Sequence, residues 1–281
     1  MVDPAAGIHE LPQPAAVLSD ELMPKSRRWT TNVLPRILAI AGFLAVWQLV
    51  VPYLPTRQIP TPTAIGEFMI AELQGDTAAK DTVYVSFAIT LARLAIGLLT
   101  TFVLGTLIGV AMGLSRRVDA FFHDFVIGDM SMPFVIYALI AAMWFGLVFV
   151  TPVIVVVLAA IPFIITNVEE GVRNVPRELV DMARAFGVPR TRMVRSVVIP
   201  SLMPFMFAGF RYALSLGWKA LAVAEVFGAD RGAGWIIRFW YNNGVITGLF
   251  AYLAFFVLIA IVIDVVLFRG LSNRVFRWRN G

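Results

Sequence analysis

Apolar runs, each about as long as a bilayer crossing, alternate along this chain with shorter polar segments. A spanning helix needs about 20 mainly apolar residues. Segments of that kind fall at about 33–54, 83–114, 121–146, 148–167, 202–227 and 246–268. The third and fourth nearly run together, with a break expected near Gly146 and Pro152. The pattern predicts an all-α polytopic membrane protein with about six spans, and five plus a re-entrant piece fits almost as well.

The polar segments differ from one another. Between the first two spans, Ile59-Pro60-Thr61-Pro62-Thr63 predicts extended backbone, followed by a short amphipathic run from Ala64 to Leu73. The segment 228–244 mixes Gly228, Gly232, Gly234 and Gly244 with Trp235, Trp240 and Tyr241. Its glycines favour irregular backbone and its aromatics suit the membrane–water boundary.

The segment 168–200 carries helical signals of its own. Val175-Pro176 follows Asn174, and proline suits a first helical turn because its missing N–H would be unpaired there. Glu178 falls where the helix dipole favours an anion. Leu179, Met182, Ala183 and Phe186 repeat at i, i+3, i+4 and i+7, predicting one apolar face. Gly187 is placed to end the helix. A second, basic amphipathic helix follows Pro189, with Arg190, Arg192 and Arg195 set among Met193, Val194, Val197 and Val198, and is expected to end at Ile199-Pro200.

Charge placement sets the expected orientation. With both termini inside, cytoplasmic segments hold Lys25, Arg27, Arg28, Arg36, Arg116, Arg117, Arg173, Arg177, Arg184, Arg190, Arg192, Arg195, Arg269, Arg274, Arg277 and Arg279. Outer segments hold only Arg57, Lys80, Arg231 and Arg238, and Arg93, Arg211 and Lys219 lie inside spans. Such a bias is what the positive-inside rule requires. It accounts for the net charge of +5 without invoking nucleic acid. Positions 1–32, with Pro4, Pro12, Pro14 and Pro24 and no apolar core, are expected to form a poorly ordered cytoplasmic tail rather than a secretory signal. Positions 270–281 are expected to form a basic cytoplasmic tail.

Composition agrees: 59% of residues are hydrophobic and 15% charged, far from a soluble domain. There is no cysteine, so thiol chemistry and cysteine-ligated metal sites are excluded. His9 and His123 are poor candidates for a metal pair, and no constellation of His, Asp and Glu suggests a membrane enzyme. No G-x-x-x-x-G-K-[ST] phosphate loop occurs, so the chain does not cradle ATP in that way. A gradient-driven carrier would show inverted repeats or carboxylate relays, and neither is evident.

Ionisable residues inside spans are costly and normally paired. Arg211, Ser215 and Lys219 share one face of the fifth span at i, i+4 and i+8. Trp218, Ala222 and Glu225 make a second stripe. Two readings stand for these charges: they line a pathway, or they pair between helices, for example Arg211 or Lys219 with Glu225. Asp264, with Arg269 nearby, is expected to form a helix-end pair. Gly97, Gly105, Gly109 and Gly113, at multiples of four, are expected to permit close helix packing.

Asp181-Met182-Ala183, then Gly187, then Val197-Val198-Ile199-Pro200 resembles the EAA motif of ATP-binding-cassette importer permeases. That pattern is Glu-Ala-Ala, three residues, Gly, nine residues, then Ile-x-Leu-Pro. The spacing fits throughout, while Asp181 and Met182 depart from it. Ile59-Pro60-Thr61-Pro62, Thr90-Leu91-Ala92-Arg93, Trp144-Phe145-Gly146, Ala208-Gly209-Phe210-Arg211 and Gly217–Glu225 are similar to the nitrate/sulfonate/taurine branch. Tyr137-Ala138-Leu139-Ile140-Ala141 departs from it where relatives often carry a further proline.

The resemblance implies a type I importer permease domain over 33–269 in a bacterial inner membrane, with 168–200 as its coupling loop. It implies ATPase-coupling roles for Glu178, Leu179, Asp181, Met182, Ala183, Phe186, Gly187, Val197, Ile199 and Pro200. Arg211, Ser215, Trp218, Lys219 and Glu225 are the pathway candidates. It further implies a homodimer or a pair with a paralogue, separate ATPase subunits that hold ATP and magnesium, and a periplasmic or lipid-anchored binding protein. The chain itself is expected to hold no cofactor. The solute implied is a small organic or inorganic anion, with pyrimidines and other aromatics also carried by relatives.

Overall fold

A computed structural model describes residues 34–55 and 58–269. The expected terminal tails, together with Arg57, lie outside the described residues. The chain divides into two compact units, Met1–Thr63 and Ala64–Gly281.

In the first unit, α1 (Leu34–Val50) continues as a 3₁₀ turn over Val51–Tyr53. Gln48, near its end, donates from Nε2 to Thr63 Oγ1 at 3.1 Å and accepts from the Thr63 N–H at 3.2 Å. Thr63 opens α2 (Pro62–Gln74), which runs on into the second unit.

The second unit then holds α3 (Val83–Leu114), α4 (Arg116–Met130), α5 (Phe134–Phe145) and α6 (Val150–Arg173). Next come α7 (Arg177–Ala185), a short α8 (Arg190–Met193), α9 (Ile199–Gly228), α10 (Ala233–Asn242) and α11 (Ile246–Asp264). Among the described residues, five helices are long and apolar enough to cross a membrane, or six if α4 and α5 count as one bent span.

The second span begins at Val83, where the apolar run begins, and the Thr82 side chain caps it by accepting from the Val85 N–H. The core forms where α3, α6 and α9 meet, around Leu94, Leu98, Val156, Ala160, Ile164, Val168, Ala213, Leu214 and Leu221. In lipid, helix association depends on close packing because the tails are as apolar as the side chains. The glycines of α3 provide that contact. A Cβ on Gly97, Gly105, Gly109 or Gly113 would come within 2.6–2.8 Å of Val156, Ile164, the Ile165 carbonyl or Val172.

Several expectations need correction. The third span is not continuous: α4 and α5 meet at 101°, because Pro133 lacks an N–H and takes an extended conformation at the N-cap of α5. Pro152, by contrast, lies within the first turn of α6, and the break before it is at Gly146, whose φ is +77°. The helix of the fourth span runs on to Arg173, so the first residues of the 168–200 segment are helical. Arg173 there pairs with Asp119 of α4 at 2.6 Å and with Glu169 at 2.7 Å.

The second amphipathic helix does not end at Ile199-Pro200. A π-helical turn over Val194–Val198 joins α8 to α9, the Ile199 N–H reaching back to the Val194 carbonyl. Pro200 and Pro204 lack the donors a regular ladder would use, and the wider turn absorbs that mismatch. Segment 228–244 is likewise mainly helical rather than irregular, for reasons that belong to the site.

Candidate functional site

Three groups of residues carry candidate function: the helix α7, the exposed polar face of α9, and a buried polar centre beneath α10.

Helix α7 begins at Arg177, with Pro176 as its N-cap residue, one position before the expected first turn. It ends on Gly187 in the left-handed region at φ +65°. The Val188 N–H reaches the Ala183 carbonyl and the Gly187 N–H reaches that of Arg184, both at 2.9 Å, a complete Schellman cap. The predicted single apolar face is divided. Leu179, Met182 and Phe186 are exposed, Phe186 by 81%, whereas Ala183 is buried. Glu178 and Asp181 are exposed, and Asp181 pairs with Arg184 at 3.3 Å. Val197 and Pro200 are half-buried and Ile199 is exposed where the chain rewinds into α9. Between α7, α8 and the C-terminal ends of α3 and α6 lies a cavity of about 1020 Å³, lined by Arg116, Asp119, Arg173, Asp181 and Arg184 among apolar residues.

On α9, Arg211, Ser215 and Lys219 are all exposed on one face. With Trp218 and Asp264 they line a cavity of about 460 Å³ between α9 and α11. Asp264 pairs with Arg211 at 3.6 Å. Trp218 is half-buried and packs on Phe256, ring centres 5.0 Å apart, so it joins the packing side of this cavity.

Glu225 is not in this group. It is fully buried and pairs with Arg93 of α3 rather than with Arg211 or Lys219. Arg93 donates from one terminal nitrogen to Glu225 at 2.8 Å and to the Arg231 carbonyl at 2.6 Å, and from Nε to the Phe149 carbonyl at 3.2 Å. The other Glu225 oxygen accepts from Thr90 Oγ1 at 2.8 Å and from the Gly234 N–H at 2.9 Å. Thr90 Oγ1 in turn accepts from the Ala233 N–H at 2.9 Å. Two N–H groups of the first turn of α10 are thus capped by side chains of α9 and α3. Gly232 at φ +108° brings the backbone against the carboxylate, where a Cβ would meet Glu225 Oε1 at 2.4 Å. This explains how a glycine-rich segment becomes a helix. Arg93 was legible as a span charge, but its pairing and the roles of Thr90 and Gly232 were not.

Outside the spans, Arg231 grips Asp81 with two nitrogens, at 2.9 and 2.7 Å. Those hydrogen bonds hold the Asp81 carboxyl below the usual carboxylate range. Glu72 of α2 is buried and accepts from Tyr252 at 3.1 Å; burial pushes its carboxyl up. Among the described residues no group of three or more His, Cys, Asp or Glu side chains could hold a metal ion.

Comparison with known proteins places this chain in a family. The family described as binding-protein-dependent transport system inner membrane component matches residues 102–277. An aliphatic sulfonates transport permease, SsuC, of Escherichia coli is 30% identical over 212 residues, covering 75% of this chain and 78% of that protein. The taurine transport permease TauC of Escherichia coli is 27% identical, covering 91% and 92%. The nitrate import permease NrtB of Synechococcus elongatus is 27% identical, covering 75% and 77%. Among solved structures, the inward-facing MetNI methionine ABC transporter matches with a TM-score of 0.53 and 22% identity, over 69% of this chain and 94% of that one, a likeness of fold. The chain belongs to the binding-protein-dependent inner membrane components: it is a permease of the nitrate/sulfonate/taurine branch of ATP-binding-cassette importers, a transport subunit that works with a separate ATPase and a binding protein and is not itself an enzyme.

Proposed function

We propose that two copies of this chain form the translocation pathway for a small anion, such as a sulfonate, taurine or nitrate, delivered by an extracytoplasmic binding protein. The observation that carries this reading is the exposed face of Arg211, Ser215 and Lys219 on α9. It extends over about 12 Å of helix axis at 1.5 Å per residue. Charged groups and a hydroxyl facing lipid over that distance would be costly, whereas a water-lined pathway solvates them. Asp264 offsets Arg211, and Lys219 leaves the face with a net positive charge that favours an anion. The names of the relatives, which carry nitrate, aliphatic sulfonates and taurine, point the same way.

In this reading α7 is the coupling helix. Leu179, Met182 and Phe186 dock in a groove of the ATPase, with Glu178 and Asp181 at the rim of the contact. Ala183 seats α7 on its own chain, and Gly187 fixes where α7 ends. Val197, Ile199 and Pro200 carry its movement into α9. ATP and magnesium sit on the ATPase, and its closure switches the pathway by alternating access. The permease domain is 33–269, with both termini and the 168–200 loop cytoplasmic. A closed pair of identical subunits is the commonest assembly and places the two α9 faces around one axis.

Reconstitution with the partner ATPase and binding protein tests this. ATP-driven uptake of labelled taurine, an alkanesulfonate or nitrate is expected, reduced in R211Q and K219Q. Uptake that persists without ATP and follows an ion gradient would overturn it.

A further inference from the structure

The arginines beyond the outer ends of the spans and at the buried centre are not all used alike. Arg93 is consumed by Glu225, and Arg231 is held by both oxygens of Asp81. Arg238 makes no ion pair among the described residues; one terminal nitrogen donates to the Ala229 carbonyl at 2.8 Å. That bond anchors the guanidinium at the C-terminal end of α9, where the helix dipole favours a cation. It leaves the remaining N–H donors of a planar, permanently charged fork to face elsewhere.

Arg238 faces a cavity of about 480 Å³ built from one side of α10. Trp235, Arg238, Phe239 and Asn242 follow at i, i+3, i+4 and i+7 and so share that side. Asn243 and Leu147 complete the lining. The Trp235 and Phe239 rings stack, 5.7 Å between centres and 24° between planes. The opposite side of α10, with Ile236, Ile237 and Trp240, is buried. The helix is pinned at its start by Glu225 and Thr90, and near its end Trp240 packs edge-on against Phe68 at 5.2 Å. The exposed side is therefore a preformed surface. Guanidinium and carboxamide donors beside stacked rings suit an oxyanion carrying a short apolar part.

We propose that this cavity is an outer station for the carried anion. The Arg238 guanidinium and the Asn242 amide hold the oxyanion, and Trp235 and Phe239 hold its apolar part, before it enters the face of Arg211 and Lys219. The inference rests on the importer reading above and adds to it a site and a preference, for anions with a small organic tail over inorganic ones.

The test uses the complete importer in vesicles, with taurine, ethanesulfonate and nitrate as probes at saturating loaded binding protein. Loss of a charge-assisted hydrogen bond predicts that R238Q slows uptake about tenfold or more. R238K, which keeps the charge and a donor for Ala229 but loses the fork, is expected to recover only part of the rate. The Asn242 side chain makes no hydrogen bond among the described residues, so N242L is expected to insert normally and to slow taurine and ethanesulfonate uptake. Full rescue by R238K together with unchanged uptake in N242L would reduce Arg238 to a helix cap and overturn the proposal. A headgroup phosphate offers the same chemistry. If the R238Q defect appeared only in vesicles containing phosphatidylglycerol and vanished in phosphatidylcholine alone, the pocket would be a lipid site and the proposal would fail. Absence of ATP-driven uptake of all three anions by the wild-type complex would instead sink the importer reading for anions, and this site with it.

Discussion

Arg93 and Glu225 lie 132 positions apart in the chain, yet their side chains meet at 2.8 Å with 1% and 0% of their surface exposed. Removing one member of a buried pair strands the other charge, at a cost of about 3–5 kcal/mol. E225Q should therefore lower the thermal unfolding temperature in detergent and speed hydrogen exchange at the first turn of α10. The exchanged pair R93E/E225R should not recover the loss. Thr90 and the Gly234 N–H are donors arranged around a carboxylate at position 225 and would face a guanidinium instead. Recovery of wild-type stability by the exchanged pair would show that charge alone matters there.

The glycines of α3 offer a second measurement. At Gly109 a Cβ would lie 2.7 Å from the Ile165 carbonyl and 2.9 Å from the Val168 Cβ, neither the free end of a flexible side chain. G109A is expected to cost about 1–3 kcal/mol as an overpacked contact. Gly128 of α4 has open space around the same position, so G128A should be neutral or slightly stabilising. Equal unfolding temperatures for the two variants would show that α3 and α6 are not packed through these glycines.

Exposure divides the face of α7 into two experiments. M182E and F186E alter residues that touch little of this chain, being 52% and 81% exposed, and should release the ATPase on pull-down while leaving membrane insertion intact. G187A places a side chain at φ +65°, which costs about 1–2 kcal/mol, and should weaken recovery less than either. Undiminished ATPase recovery with both glutamate variants would remove α7 as the docking surface.

For Asp81 the sign of the pH effect follows from a folded pKa below the unfolded one. Its contribution to stability is complete above the ordinary aspartate value, about 3.9. It is lost as pH falls through the lower folded value. The stability difference between wild type and D81N should be level from neutral pH to about 5 and shrink below about 4. A difference that disappears between pH 7 and 5 would show that the folded carboxyl titrates above the ordinary value and is not held down by Arg231.

Much of the fold was legible because helices and their ends are local. The span 83–114 is bounded in the sequence where it is bounded in the structure, since a run of apolar residues can sustain a helix over its own length. Gly187 marks a helix end by the same logic: only glycine takes the left-handed region without penalty. The spacing from Asp181 to Pro200 points to the family before any contact is known.

The sequence by itself therefore determined the class of protein and most of its helices. Tertiary structure decided which charges meet. Hydropathy could not show that Glu225 is enclosed while Arg211, Ser215 and Lys219 stay exposed, because they share one helix and differ only in what packs against each face. Nor could it show that 233–242 would be helical, because the groups that cap its first turn come from Thr90 and Glu225. Periodicity is a property of neighbours along the chain; the desolvation of a charge is set by whichever residues the fold brings to it.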